Sequence, residues 1–137
     1  MTTIYAQAEK VIYDFYSKTL GKRAYITRFA DTKDANRGRV SNWVTIAKKP
    51  SDFMITFDGD TFYAEVKSTQ KSYIDSGLFK TQRSERLKIL SAGGSYIYFV
   101  YSILNECWYV LPGDIADRGK LEFKYLEEYR SPIIPKI

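Results

Sequence analysis

The sequence predicts an α/β domain, a central mixed β-sheet flanked by helices, and three observations carry that expectation. Apolar residues at helical spacing open the chain, a two-strand hairpin signature occupies residues 50–67, and a nearly continuous apolar run (Tyr96, Ile97, Tyr98, Phe99, Val100, Tyr101) follows a second helical stretch. Strands separated by helical segments imply a layered sheet-and-helix domain, and an apolar run without alternation marks a strand covered on both faces. A length of 137 residues suits one domain, 1–137.

Residues 3–20 read as the first helix. Thr2 or Thr3 can cap it, Ile4, Ala8, Val11, Ile12, Phe15 and Tyr16 recur at helical spacing, and Gly21 follows as a stop. Glu9 falls at the edge of that apolar face, beside Tyr5, Ile12 and Tyr16. It is either a boundary glutamate paired with Lys10 or a nearby Arg, or an acidic group turned toward a site. Residues 25–29 alternate as a first strand. Residues 31–42 are polar and basic, with Lys33, Arg37 and Arg39, and read as a loop able to grip phosphates or simply to face solvent. Residues 43–47 are a candidate short strand, and Lys48 and Lys49 follow it.

In the hairpin, Phe53, Ile55 and Phe57 alternate with Met54 and Thr56, and Asp58-Gly59 supplies a two-residue turn that tolerates positive φ. The returning strand ends in Glu65-Val66-Lys67. Alternation puts Glu65 and Lys67 on one face and Val66 on the other, and Asp52 lies at the start of the partner strand. The hairpin therefore gathers Asp52, Glu65 and Lys67 at one end of a small sheet. Two carboxylates suit a hard divalent cation such as Mg²⁺, with Mn²⁺ an alternative; a nearby ammonium can orient water and offset phosphorane charge. A Glu-x-Lys triplet by itself is common on solvated strands; the Pro50, Asp52, hairpin, Glu65-Val66-Lys67 arrangement is more specific.

Residues 68–80 are polar, with Lys71, Tyr73 and Lys80, and would wrap the mouth of the site. Thr81 can cap a second helix, residues 82–92, made basic by Arg83, Arg86 and Lys88, with Gln82 in its exposed first turn. Gly93-Gly94 ends it. After the apolar run, Asn105-Glu106 turns the chain into a strand at 107–111, which Pro112-Gly113 stops. Residues 114–117 suit one helical turn, residues 120–129 have no clear pattern, and the tail with Pro132 and Pro135 is expected to be extended.

The chain contains no His, which excludes Ser-His-Asp and Cys-His catalysis and any His-ligated zinc; a single Cys, Cys107, excludes an intrachain disulfide. Twelve Tyr read chiefly as amphipathic core packing. A formal charge of +5 favours polyanionic partners. No stretch is long enough to span a membrane, so a cytoplasmic protein is expected.

The stretch from Pro50 to Lys67 resembles the PD-(D/E)xK nuclease superfamily, with one extra residue, Ser51, between the proline and the aspartate. The order of elements resembles a restriction-endonuclease-like core. The run Ser51-Asp52-Phe53 to Ala64-Glu65-Val66-Lys67-Ser68-Thr69, the Gln82 helix, Gly93-Gly94 and the strands 99–101 and 108–111 are similar to the RecU-type Holliday-junction resolvases, over residues 40–117 and without the family's usual His before the Gln. The resemblance implies a homodimeric, Mg²⁺-dependent endodeoxyribonuclease that cleaves branched DNA with metal-activated water. Asp52, Glu65 and the Val66 carbonyl would hold the cation, Glu9 would be a further ligand, as in superfamily members with a first-helix glutamate, and Lys67 would position the nucleophile. Arg37, Arg39, Lys48, Lys49, Lys71, Lys80, Gln82 and Arg83 are candidates for DNA contacts. The alternatives are a restriction-type, nicking or repair nuclease on the same core, or a catalytically silent nucleic-acid-binding module.

Overall fold

The computed structural model describes residues 3–30 and 49–137. The loop expected at residues 31–42, the strand at 43–47, and the candidate DNA contacts Arg37, Arg39 and Lys48 fall outside the described residues.

Helix α1, Ile4–Asp14, begins where Thr3 accepts a hydrogen bond from the Ala6 N–H at 3.1 Å, which satisfies one of the free donors of the first turn. Ala8 and Ile12, one turn apart, are its buried contacts. The helix does not run straight to Leu20. It widens into a π turn over Phe15–Thr19, closed by the Leu20 N–H on the Phe15 carbonyl at 3.0 Å, and both Phe15 and Tyr16 become buried.

A six-stranded mixed sheet, in the order β1-β2-β3-β5-β6-β8, is flanked by two α-helices among the described residues. The strands are β1 Ala24–Arg28, β2 Phe53–Phe57, β3 Asp60–Thr69, β5 Tyr96–Ser102, β6 Cys107–Pro112 and β8 Arg130–Ser131. A separate ribbon pairs β4, Tyr73–Ile74, with β7, Leu121–Glu122. β1, β2 and β3 form an antiparallel meander, and Asp58 (φ +54°) and Gly59 (φ +84°) make the two-residue turn between β2 and β3. Positive φ at both central residues is the primed turn whose twist suits a hairpin.

β3 then pairs in parallel with β5, Glu65 opposite Tyr98 and Val66 opposite Phe99. A parallel pair needs a crossover. It is supplied by β4, the 3₁₀ turn Ser76–Phe79 and helix α2, Arg83–Ser91. β5 is the central strand expected from its apolar run, and it is buried from Tyr98 to Ser102.

The core lies on both faces. On one, Ala8, Ile12, Phe15 and Tyr16 pack with Phe53, Ile55, Ala64, Val66, Phe99 and Trp108. On the other, Phe79, Ile115 and Phe123 pack with Tyr96, Tyr98, Val100, Tyr109 and Leu111. Cys107 is buried in this second cluster as a small apolar residue. The tail folds back onto the sheet: Ile134 is buried, and the Trp108 indole N–H donates to the Pro135 carbonyl at 2.8 Å. Among the described residues no helix is long and apolar enough to cross a membrane.

Candidate active site

β2 and β3 stop pairing at Phe53 and Ala64. One residue further, the strands splay, and Asp52 and Glu65 occupy the gap. Phe53 and Val66 belong to the α1 side, so alternation turns Asp52, Glu65 and Lys67 to the opposite face, toward α2. Asp52 fills the vacated ladder position itself, since its Oδ2 accepts the Val66 N–H at 2.8 Å. The N–H and C=O of one strand residue point to the same edge, so the Val66 carbonyl also faces this gap.

Both carboxylates are buried, each with only 2% of its surface exposed. The Lys67 ammonium lies 3.3 Å from Glu65 Oε2, and the Lys49 ammonium 3.2 Å from Asp52 Oδ1. Gln82 joins them: with its amide turned to satisfy both ends, its NH₂ donates to Glu65 Oε2 at 2.9 Å and to the Thr81 carbonyl at 3.2 Å. Glu65 Oε1 is buried without a hydrogen-bond partner. Burial, and then the neighbouring Asp52 charge, push the Glu65 carboxyl up to about 8, against the pull of Lys67.

An oxygen-only donor set suits a hard cation: two adjacent carboxylates, one carrying an orphaned oxygen, and a backbone carbonyl at the same edge. Mg²⁺ binds through one or two carboxylates and retains several waters. Among the described residues, no group of three or more Asp, Glu, Cys or His side chains gathers to hold a metal. Glu9 is therefore not brought into a cluster with Asp52 and Glu65. Its helix packs on the Val66 face, and Glu9 borders a groove with Tyr13, Arg28 and Phe53. Lys10 bonds Asp14.

Gln82 departs most from the sequence reading. It is not an exposed first-turn residue behind a Thr81 cap. It is itself the N-cap of α2, in the left-handed conformation (φ +60°), and 5% exposed. A non-glycine residue holds that conformation only when its surroundings fix it, and here the side chain is turned inward onto Glu65. Arg86 was also unforeseen. It is fully buried rather than part of a basic surface, and bonds the Tyr98 hydroxyl at 2.6 Å and Asp117 Oδ1 at 2.7 Å. Its position gave a signal: Gln82, Arg86 and Leu90 are successive i,i+4 neighbours on one side of α2, a spacing that puts the arginine on the sheet-facing stripe.

Tyr96, also missed, donates its hydroxyl to the Pro50 carbonyl at 2.6 Å and so fixes the chain ahead of Asp52. The remaining candidates have partners or surroundings of their own. Lys71 is exposed, 3.9 Å from Asp75, Lys80 is exposed, and Arg83 bonds Asp117 at 3.2 Å.

No family model matches the chain, and no curated protein matches it. Among solved structures, the chain is similar to Archaeoglobus fulgidus Hjc, a Holliday junction resolvase from an archaeal hyperthermophile. The likeness has a TM-score of 0.53 at 12% sequence identity and covers 88% of this chain and 92% of that one. The mixed six-stranded sheet between α1 and α2 is thus a restriction-endonuclease-like α/β fold of the Hjc kind.

Proposed function

We propose that the protein is a divalent-metal-dependent endodeoxyribonuclease that cleaves branched DNA as a homodimer. The observation that carries this reading is the pair Asp52 and Glu65, buried side by side at the splayed end of the hairpin, with Lys67 on Glu65 and one Glu65 oxygen unpartnered. The similarity in fold to a Holliday junction resolvase supports it, as do the RecU-like order of elements and the net charge of +5.

Asp52, Glu65 and the Val66 carbonyl would hold Mg²⁺ or Mn²⁺. When bound, such a cation polarises a phosphate oxygen and lowers the pKa of water. The chain's own groups do the rest. The Val66 N–H locks the Asp52 carboxylate in one orientation. Glu65 would release its proton to solvent on binding a cation. Gln82 and Lys67 both hold Oε2, which leaves the other oxygen of Glu65 available to a cation. The Lys67 ammonium, 3.3 Å from Glu65, is placed to orient the attacking water and to offset charge on the phosphorane.

The test is incubation of the purified protein with labelled four-way junction, flap, duplex and single strand, with and without Mg²⁺. Mg²⁺-dependent, paired nicks in the junction are expected. Cleavage confined to particular duplex sequences would replace the resolvase reading with a restriction-type one, and band shifts without any cleavage would leave a binding module. Lys67→Ala should lower the cleavage rate by about 10²–10³-fold, the usual loss for a group that stabilises developing charge, with little change in DNA affinity. Unchanged cleavage in that variant would remove Lys67 from the reaction.

A further inference from the structure

We infer that Lys49 is a tethered counter-ion that occupies Asp52 in place of the divalent cation and yields to it. This rests on the metal-site reading above and adds a role that the motif does not specify. Three of the four carboxylate oxygens in the gap are engaged. Asp52 Oδ2 is held by the Val66 N–H, Asp52 Oδ1 by the Lys49 ammonium at 3.2 Å, and Glu65 Oε2 by Lys67 and Gln82. Of these oxygens, Glu65 Oε1 is the one left without a hydrogen-bond partner among the described residues.

A cation bridging the two side chains must draw its Asp52 oxygen from this set. The Val66 N–H belongs to the backbone of β3 and cannot withdraw. Lys49 reaches Asp52 from a flexible four-carbon stem, and its side chain is 18% exposed, at the boundary between the site and solvent. The base of that stem is fixed, because the neighbouring Pro50 carbonyl is bound by the Tyr96 hydroxyl. An anchored base on a flexible stem is what an exchange requires. The pair also explains how Asp52 stays buried in the metal-free protein: a carboxylate out of water needs a partner, and Lys49 provides it. Once displaced, the ammonium is left at the rim, where a phosphate would be its natural partner.

The experiment measures Mn²⁺ binding to the DNA-free protein, by the paramagnetic resonance of free Mn²⁺, for wild type, Lys49→Gln, Asp52→Asn and the control Lys124→Gln. Lys124 is an exposed lysine, so its replacement changes net charge by the same amount. Lys49→Gln keeps a hydrogen-bond donor and should fold; circular dichroism melting in chelator confirms it, and Lys49→Met is the second variant. Loss of the competing ammonium should tighten Mn²⁺ on the order of tenfold. Lys124→Gln should leave it unchanged, and Asp52→Asn should abolish it. If wild type binds Mn²⁺ through Asp52 and both Lys49 variants bind it equally or more weakly, the counter-ion role falls while the metal site stands. If wild type binds no Mn²⁺, the metal site itself falls, and this inference with it.

Discussion

Asp52 and Glu65 face each other out of water, and at neutral pH the metal-free protein holds a proton on Glu65 that the unfolded chain would release. The folded-state pKa is raised, from an ordinary 4.5 to about 8. The native state therefore binds more protons than the unfolded state between those values, and stability falls as pH rises through that window. In chelator the melting temperature should be higher near pH 5 than near pH 8, after subtraction of the same difference in Glu65→Gln, which keeps the shape without the charge. A melting temperature that rises toward pH 8 through Glu65 would contradict the placement. The same sign makes bound cation most effective at the alkaline end, where no proton competes for the carboxylate. Gln82 belongs to this scale too. Gln82→Ala keeps the strained left-handed position while losing the amide on Glu65. It should weaken Mn²⁺ binding several-fold, and Gln82→Gly, which relieves the strain, should not restore it.

Helix α2 is held to the body by a charge rather than by an apolar stripe alone. Arg86 is fully buried, its pair Asp117 comes from the 3₁₀ turn Gly113–Asp117, and Tyr98 closes the other side. Burial raises the Asp117 carboxyl, but the Arg83 hydrogen bond and the Arg86 charge outweigh it and hold it below the usual aspartate range. Asp117→Ala would leave the guanidinium charge without its carboxylate and should cost about 1–2 kcal/mol of stability, since Asp117 is partly screened by solvent, read by urea denaturation, whereas Arg86→Met should cost less. Because Gln82 sits at the head of the same helix, Asp117→Ala should also loosen the site.

The outline of such elements was legible where the signal is local: the Asp58-Gly59 turn, the alternation of Phe53, Ile55 and Phe57, the Thr3 cap, and the apolar run of β5. The grouping of Asp52, Glu65 and Lys67 followed from alternation across a hairpin and needed nothing distant. What local pattern could not reveal was whatever is decided by a remote partner. Gln82 reads as surface until Glu65 arrives, and the spacing that turns Arg86 inward does not name Asp117 as its pair. The π turn at Phe15–Thr19 left no mark in the apolar spacing, which runs on as ordinary α-helix through Tyr16. β7 and β8 are two residues each, and only their pairings with β4 and β6 make them strands.

At the scale of the whole molecule, a basic chain with a small buried acidic pair should bind DNA through phosphates more than through bases. Arg37 and Arg39 precede the motif by a short stretch. Replacing both with Ala should weaken binding to every DNA form and reduce the slope of log affinity against log salt by about two. An unchanged slope would remove them from the interface. If the resolvase reading holds, sedimentation should show a homodimer and competition should favour four-way junction over duplex. A strict monomer with equal affinity for both would leave a nuclease without junction preference.

The primed turn between β2 and β3 also bears on how the chain acquires its structure. Asp52 and Val66 are only 14 residues apart, so their half of the site closes through a local loop. β3 meets β5 only after the whole crossover has folded behind it. Hairpins form within about 1–10 μs, far ahead of non-local pairing. The two repelling carboxylates should thus meet early, before the full sheet forms to bury them. Gly59→Ala strains the turn that leads this sequence of events. In stopped-flow refolding it should slow folding nearly in proportion to the stability lost and leave unfolding almost untouched. Trp108→Phe, on the late-joining β6, should do the reverse.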